Sequence, residues 1–139
     1  MKIAVKRSEC KFYVNEKRRT VVCVIPNTVH LLEEFLESNY TSWVYFTHSE
    51  LEMITLPSSF VGIARCAAED NWDVEVGKTI AYTRARDRLY HCLFQRANEF
   101  IDHKDRDLNE LVMRLNDMGE KIAARQQALH EQIAKYMED

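Results

Sequence analysis

A seven-residue repeat of apolar side chains in the C-terminal third of the chain limits most strongly what this sequence can form. One set of positions recurs at every seventh residue: Leu108, Leu115, Ile122, Leu129 and Tyr136. The companion positions, apolar only in the first half, are Leu111, Met118, Arg125 and Gln132. A heptad repeat places a narrow apolar seam on one side of an α-helix, where it faces a partner helix. The sequence therefore predicts a helix over about 106–137, with its association surface limited to the first half.

Another long helix is predicted just before this one, from about Asp73 to about His103. Asp73 is a candidate N-cap because its carboxylate can accept hydrogen bonds from the first free backbone N–H groups. A stripe of small and apolar residues recurs at every fourth position: Gly77, Ala81, Ala85, Leu89, Leu93, Ala97 and Ile101. The small residues at its start allow another backbone to come close. The polar run 102–105 predicts a break or tight bend between two helices.

The N-terminal half has the features of an antiparallel sheet. The β-branched run 20–25, ended by Pro26, predicts a central strand that forms a hairpin with residues 11–14. Further strands are predicted at 43–46 and at 60–66, where Gly62 indicates a bulge or a close backbone approach. We expect four or five strands, with one face covered by helix.

Between these strands the sequence predicts one short helix. Asn27 is the expected cap, and the helix is expected to run from Thr28 to about Ser38. The acidic stretch 47–59 reads as irregular. Low contents of Gly (3) and Pro (2) favour regular structure through most of the chain.

The predicted fold class is therefore α+β, as a single domain over 1–139. Residues 1–72 form the antiparallel sheet region with its short helix, and residues 73–139 form two long helices that provide an oligomer interface. An intramolecular helical hairpin is the alternative, but one helix and a small sheet offer too little surface to cover both long helices. No leader and no membrane-spanning run is recognised, and four scattered cysteines fit a reducing cytoplasm.

No arrangement of residues in the sequence predicts catalysis, a metal or a cofactor. The five histidines are scattered, and the sequence has no Gly-rich phosphate loop and no hydrolase or zinc motif. A net charge of −3 disfavours a duplex-DNA-binding regulator that would use Arg84, Arg86 and Arg88. We therefore expect a binding protein that is not an enzyme.

The first long helix carries the residues that best suit a nucleotide ligand. Arg84 and Arg88 lie one turn apart and share a face, so both are candidate phosphate contacts. Phe94 offers a ring for stacking, Arg96 a planar fork of donors, and Asn98 an amide for the edge of a base. The alternative is an ordinary solvated helix face.

Two other basic positions were weighed. Lys17, Arg18 and Arg19 fit a soluble hairpin turn. Arg65 is unusual on an otherwise apolar strand, where it either pairs with an acid such as Asp70 or Asp73 or points into a site. The aromatic residues of the N-terminal half are expected to be core rather than a ligand cage: Phe12, Tyr13, Trp43, Tyr45, Phe46 and Trp72.

Several stretches carry a resemblance to a known family. These are the stretches 5–10, 19–25, 60–73 and 77–85. With these stretches, which span nearly the whole chain, the protein resembles the Thoeris anti-defence sponges of the first type. Those proteins are encoded by phages and prophages of gut Firmicutes.

The resemblance implies a function as well as a fold. Members combine an N-terminal antiparallel sheet with two long helices and assemble as homo-oligomers, from dimers up to hexamers. They sequester glycocyclic ADP-ribose signals without cleaving them, and some also bind cyclic oligonucleotides. The resemblance implies a ligand pocket that draws on the long helices of two subunits. Chemistry and position, rather than the family's own pocket, select the candidate residues: Phe94, Arg96 and Asn98 from the first helix, Arg114 and Asn116 from the second, with Arg84 and Arg88 as further phosphate contacts.

The competing hypothesis belongs to a different functional class. It is a phage-encoded protein–protein inhibitor or adaptor that binds a host target through the heptad seam of its C-terminal helices. A chain already self-associated through that seam would contradict it.

Overall fold

The structure is a computed structural model that describes residues 5–39 and 46–138. In chain order its elements are a short 3-10 helix (Arg7–Glu9), β1 (Lys11–Asn15), β2 (Thr20–Pro26), α1 (Leu31–Asn39), α2 (His48–Ile54), β3 (Ser59–Arg65) and α3 (Val74–Glu138). The three strands form an antiparallel sheet, with α1 and α2 between β2 and β3 and the long helix α3 after them, which confirms the predicted α+β class.

The predicted central strand is β2, which pairs with β1 on one side and β3 on the other. The register places Cys23 opposite Phe12 of β1 and opposite Gly62 of β3. The described residues form three strands. Of the strand predicted at 43–46, residues 43–45 lie outside the described residues, and Phe46 is not part of a strand. Of the four or five strands expected, the described residues therefore contain three.

One face of the sheet packs against α3 and forms the core. Along β2, buried residues (Val21, Cys23 and Ile25) alternate with half-buried ones, as a strand with one covered face requires. The buried residues of α3 are Gly77, Ala81, Ala85, Leu89, Leu93 and Phe100. The predicted small-residue stripe is thus confirmed through Leu93, and Ile101 beyond it is exposed.

Gly62 lets the sheet and the helix approach each other closely. A Cβ atom at this position would overlap the backbone oxygen of Ala81 and the backbone nitrogen of Ala85. At Gly77, one turn before Ala81, a Cβ would lie 2.8 Å from Cγ2 of Val21. The close backbone approach expected at Gly62 is confirmed, and the partner that approaches is α3.

The beginning of α3 matches the sequence prediction, but the break that follows does not. Asp73 Oδ1 accepts hydrogen bonds from the backbone N–H of Glu75 (3.0 Å) and of Val76 (3.3 Å), so it caps the helix as expected. The prediction of a break at 102–105 is wrong, because a single helix, α3, runs from Val74 to Glu138. The run contains no Gly or Pro, and its polar side chains are compatible with a helix. His103 Nε2 lies 3.4 Å from Oδ2 of Asp107, a spacing of one turn.

The stretch predicted as irregular contains a helix. In α2 (His48–Ile54), the hydroxyl of Thr47 accepts a hydrogen bond from the backbone N–H of Glu50, whose side chain in turn accepts one from the Thr47 N–H. This capping box satisfies two donors that would otherwise be free at a helix start. The other predicted helix, α1, begins at Leu31 instead of Thr28, since the Thr28 hydroxyl donates to the carbonyl of Pro57.

Contacts divide the chain into two compact units, residues 1–100 and 101–139. The first unit holds the sheet, α1, α2 and the core. In the second unit, every described residue from 105 onward is exposed. No helix in the described ranges has the length and apolar character needed to cross a membrane.

The contact at Gly62 predicts opposite effects for two glycine substitutions. Gly62→Ala should destabilise the fold by about 1–3 kcal/mol, because the new methyl group would force the sheet away from α3. Gly119→Ala is the control, since nothing lies within 4 Å of its Cβ position. It should stabilise the helix by up to about 1 kcal/mol. Urea denaturation followed by circular dichroism measures both, and equal effects would contradict the close packing.

Cys23 predicts a loss of stability at alkaline pH. Burial raises the pKa of its thiol from 9.0 to about 12, and the neighbouring Cys10 adds to the rise. Above pH 9 the unfolded chain therefore releases a proton that the folded chain retains, so stability should fall as pH rises from 9 towards 12. Cys23→Val removes this thiol. The difference in unfolding free energy between wild type and variant, measured from pH 7 to 11, should change only above about pH 9.

Candidate functional site

Two of the predicted phosphate ligands hold the edge of the sheet. Among the three described strands β3 lies at one edge, so its outward-facing backbone groups have no partner in the other two. Arg84 Nη1 donates to the carbonyl of Ile63 (2.7 Å), and Arg88 Nη1 donates to that of Val61 (3.1 Å). The two arginines do share a face, as predicted. Their contacts cover an edge that would otherwise be open to pairing with another chain.

Arg86, on another side of α3, is also occupied. Its guanidinium carbon lies 5.4 Å from the ring centre of Tyr82 and 6.0 Å from that of Tyr90. Tyr82 in turn donates its hydroxyl to the carbonyl of Val5 (3.0 Å). The three arginines weighed for DNA binding thus contact parts of their own fold.

The remaining predicted ligand residues of the first unit do not all share a helix face. Phe94 has 66% of its surface exposed. Asn98, one turn later, is exposed on the same side. Arg96 is half-buried and points to the other side of α3, since two residues correspond to about 200° of rotation. Phe94 and Asn98 therefore form a pair that Arg96 does not join on the same helix.

Arg114 and Asn116 belong to the second unit and are both exposed. Arg114 Nη2 donates to Oε1 of Glu110 at 2.7 Å, one turn earlier. An arginine has five N–H donors, so this bond leaves most of them available. Six of the seven predicted ligand residues are thus exposed on the surface of α3, and Arg96 is half-buried.

A concave site does exist on the open face of the sheet, opposite to the face that packs on α3. We call it the sheet-face pocket; its volume is about 460 Å³ and it is lined chiefly by Tyr13, Asn15, Arg18, Thr20, Val22 and Arg65. Strand register explains the grouping. Tyr13 pairs with Val22, and Thr20 pairs with both Asn15 and Arg65, so these side chains project from one face.

Neighbouring arginines in the hairpin turn serve different purposes. Arg19 adopts a left-handed backbone conformation (φ 47°), and its Nη1 donates to the carbonyls of Asp70 (2.9 Å) and Ala68 (3.4 Å). Its own carbonyl accepts a hydrogen bond from the Cys66 N–H (2.9 Å). Arg19 therefore fastens the loop after β3, whereas Arg18 lines the sheet-face pocket.

Arg65 shows the second of the two behaviours expected for it. Within the described ranges its guanidinium makes no ion pair with Asp70 or Asp73, and neither this guanidinium nor that of Arg18 has a hydrogen-bond partner. Arg65 lines the sheet-face pocket, and it also lines a second concavity of about 230 Å³ that includes Asp70 and Asp73. Sequence reasoning singled out Arg65 but took Tyr13 for core, and Tyr13 is 58% exposed. Phe12, Phe46 and Trp72 do pack against the core, while Trp43 and Tyr45 lie outside the described residues.

The apolar seam of α3 is exposed to solvent in the second unit. Leu108, Leu115 and Ile122 expose between 48% and 60% of their surface. Leu129 and Tyr136 are exposed as well, so the second half of the repeat is as open as the first. Helix stability in proteins comes mostly from packing of an apolar face, and this face has none within its unit.

The chain matches no family model, no curated protein and no solved structure. Across residues 5–39 and 46–138, no group of three His, Cys, Asp or Glu side chains is placed to hold a metal ion. Membership of the sponge family and the nucleotide ligand therefore stay predictions.

The edge contacts predict how Arg84 and Arg88 respond to substitution. Arg84→Met and Arg88→Met together should lower the unfolding free energy by about 1–3 kcal/mol, since two carbonyls lose their donors. Light scattering should also rise, because the open β3 edge can pair with another chain. Arg106→Met, at an exposed position of the second unit, should change neither property. Loss of ligand binding with unchanged stability would instead favour direct phosphate contacts.

Proposed function

We propose that this chain is a non-catalytic anti-defence protein that captures cyclic ADP-ribose-type signalling nucleotides in the cytoplasm of a bacterial host and holds them without cleavage. By withholding the signal, it would keep the host Thoeris effector inactive. The observation that carries the proposal is the surface of α3, where the ring of Phe94, the amide of Asn98 and the apolar seam from Leu108 onward are all exposed.

Self-association is the first step of the proposed mechanism. A leucine that moves from half-exposed to buried contributes about 1 kcal/mol, and the seam offers several such residues in each copy. From Leu108 to Ile122 both heptad positions of the seam are apolar. After Ile122 one of the two positions becomes polar, at Arg125 and Gln132. We therefore place the main contact between copies at 108–122. The proposed assembly is a homo-oligomer between a dimer and a hexamer.

Ligand capture is the second step. The ring of Phe94 and the amide of Asn98 share a face and suit stacking and base-edge contacts. Arg114 and Asn116 from another copy supply charge-assisted and neutral hydrogen bonds to the phosphates. Arg84 and Arg88 remain bound to β3 and Arg96 faces away, so all three add positive potential rather than direct contacts. A boundary between copies would enclose the ligand, as small-molecule sites require.

The capture step is tested by calorimetry with a panel of cyclic ADP-ribose isomers. Phe94→Leu should weaken binding by about tenfold or more, because loss of stacking costs on the order of 1–3 kcal/mol per base. Ile101→Leu, also exposed on α3, is the control and should leave binding unchanged. The bound nucleotide should be recovered intact after heat denaturation. A cleaved product would overturn the sponge, and so would the absence of binding to every isomer.

The same seam supports one competing function, an adaptor or inhibitor that binds a host protein through α3. Two variants distinguish the sponge from the adaptor. Leu115→Asp adds a negative charge on the seam, and Met113→Asp adds the same charge away from it. Native mass spectrometry should show oligomers for wild type and Met113→Asp but monomers for Leu115→Asp. A wild-type chain that is monomeric by itself, yet forms a defined complex with one host protein, would favour the adaptor.

A further inference from the structure

We propose that the sheet-face pocket binds a small phosphate ester that carries a flat aromatic ring, with the phosphate between Arg18 and Arg65 and the ring against Tyr13. This site lies on the opposite side of the sheet from α3. It therefore shares no residue with the helix surface of the proposed function and does not depend on self-association.

The charge of the pocket selects an anion. Two guanidinium groups line one concavity, and no Asp or Glu is among its lining residues. Elsewhere in the described ranges, arginines such as Arg19, Arg84 and Arg88 are engaged by backbone carbonyls. Arg18 and Arg65 differ from these three arginines because their donor forks are unused. Planar guanidinium donors match the geometry of phosphate oxygens and can bind them in pairs.

The opposite end of the pocket selects a flat apolar group. Tyr13 exposes its ring to solvent and lies across the strand pair from Val22, whose side chain is half-buried. A ring stacked on Tyr13 would cover both residues. Asn15 and Thr20, next to Arg65 in the register, add neutral hydrogen-bonding groups at the charged end.

The spacing between the two ends suggests the size of the ligand. The pair Tyr13 and Val22 lies two residues along the strands from the row of Asn15, Thr20 and Arg65, which corresponds to about 7 Å. A pentose spans a similar length between a base and a 5′-phosphate. The volume of about 460 Å³ also falls in the range of small-molecule sites. A nucleoside monophosphate thus fits the charge, the ring and the length.

A single-stranded nucleic acid fits less well. Proteins that track a strand offer successive aromatic platforms, one for each stacked base. Within the described residues, Tyr13 is the one aromatic side chain lining this pocket. The single Tyr13 platform therefore favours a ligand with one aromatic group over a polymer with many bases.

The test uses four small probes with the full-length protein in low-salt buffer: AMP, adenosine, 4-nitrophenyl phosphate and inorganic phosphate. Chemical shifts of the β1 and β2 amides report binding at the pocket. AMP and 4-nitrophenyl phosphate should bind at least tenfold more tightly than adenosine or inorganic phosphate, because only they carry both groups. If AMP alone binds, the ligand is a nucleotide; if both bind, the site accepts any aryl phosphate. Either result supports the site.

Variants assign the two ends of the ligand. Arg65→Gln and Arg18→Gln should each weaken AMP binding by about tenfold, in line with the loss of a charge-assisted hydrogen bond. Tyr13→Leu should weaken AMP to a similar degree and leave inorganic phosphate unchanged. The matched control for Arg18 is Lys17→Gln, which removes the same charge from the same turn at a residue that does not line the sheet-face pocket. Circular dichroism and melting temperature verify that each variant folds.

Three results would overturn the proposal. One is AMP binding that is undetectable at 10 mM. Another is an equal loss of AMP affinity in Lys17→Gln, which would mean attraction to general surface charge. The last is a short single-stranded RNA that binds this face far more tightly than AMP. Phe94→Leu should leave AMP binding at the sheet-face pocket intact. This variant therefore distinguishes a failure of the sheet-face site from a failure of the proposed sponge function.

Discussion

The contact between β3 and α3 is the interaction on which the rest of the structure depends. Gly62 has no side chain, and Ala81 and Ala85 have small ones, so the helix backbone comes against the strand itself. This closeness has a second effect. It brings Arg84 and Arg88 within reach of the outer carbonyls of β3, so the helix both covers the core face and covers the strand edge. A larger side chain at Gly62 would weaken both at once.

The helix that forms this contact contributes residues to both compact units. Up to Phe100 its buried stripe has a partner, and in the second unit the apolar seam has none. One covalent element therefore has two different surroundings. The first part is held by packing within the chain, while the second needs another helix for comparable burial. This difference is the physical basis for proposing self-association through residues 108–122 rather than through the sheet.

Much of the fold was predictable because it follows from local pattern and composition. The β-branched run of β2, the Asp73 cap and the small-residue stripe each act over a few neighbouring residues. The break at 102–105 was wrong because polar residues alone do not end a helix without Gly or Pro. The helix α2 was missed although Thr47 and Glu50 have the spacing of a capping box. The site was harder to predict, since whether an arginine binds a carbonyl or faces a pocket depends on strand register.

The arginines show this dependence most clearly. From the sequence, Arg84 and Arg88 are candidate phosphate contacts, whereas Arg65 either pairs with an acid or points into a site. In the structure their surroundings differ. Arg84 and Arg88 donate to backbone carbonyls at the edge of β3, while Arg65 lies on the open face of the sheet beside Arg18. A guanidinium that already satisfies a backbone oxygen has less to gain from a phosphate than one that faces water. Of these three arginines, Arg65 with its unused donors should therefore bind an anion more readily than Arg84 or Arg88.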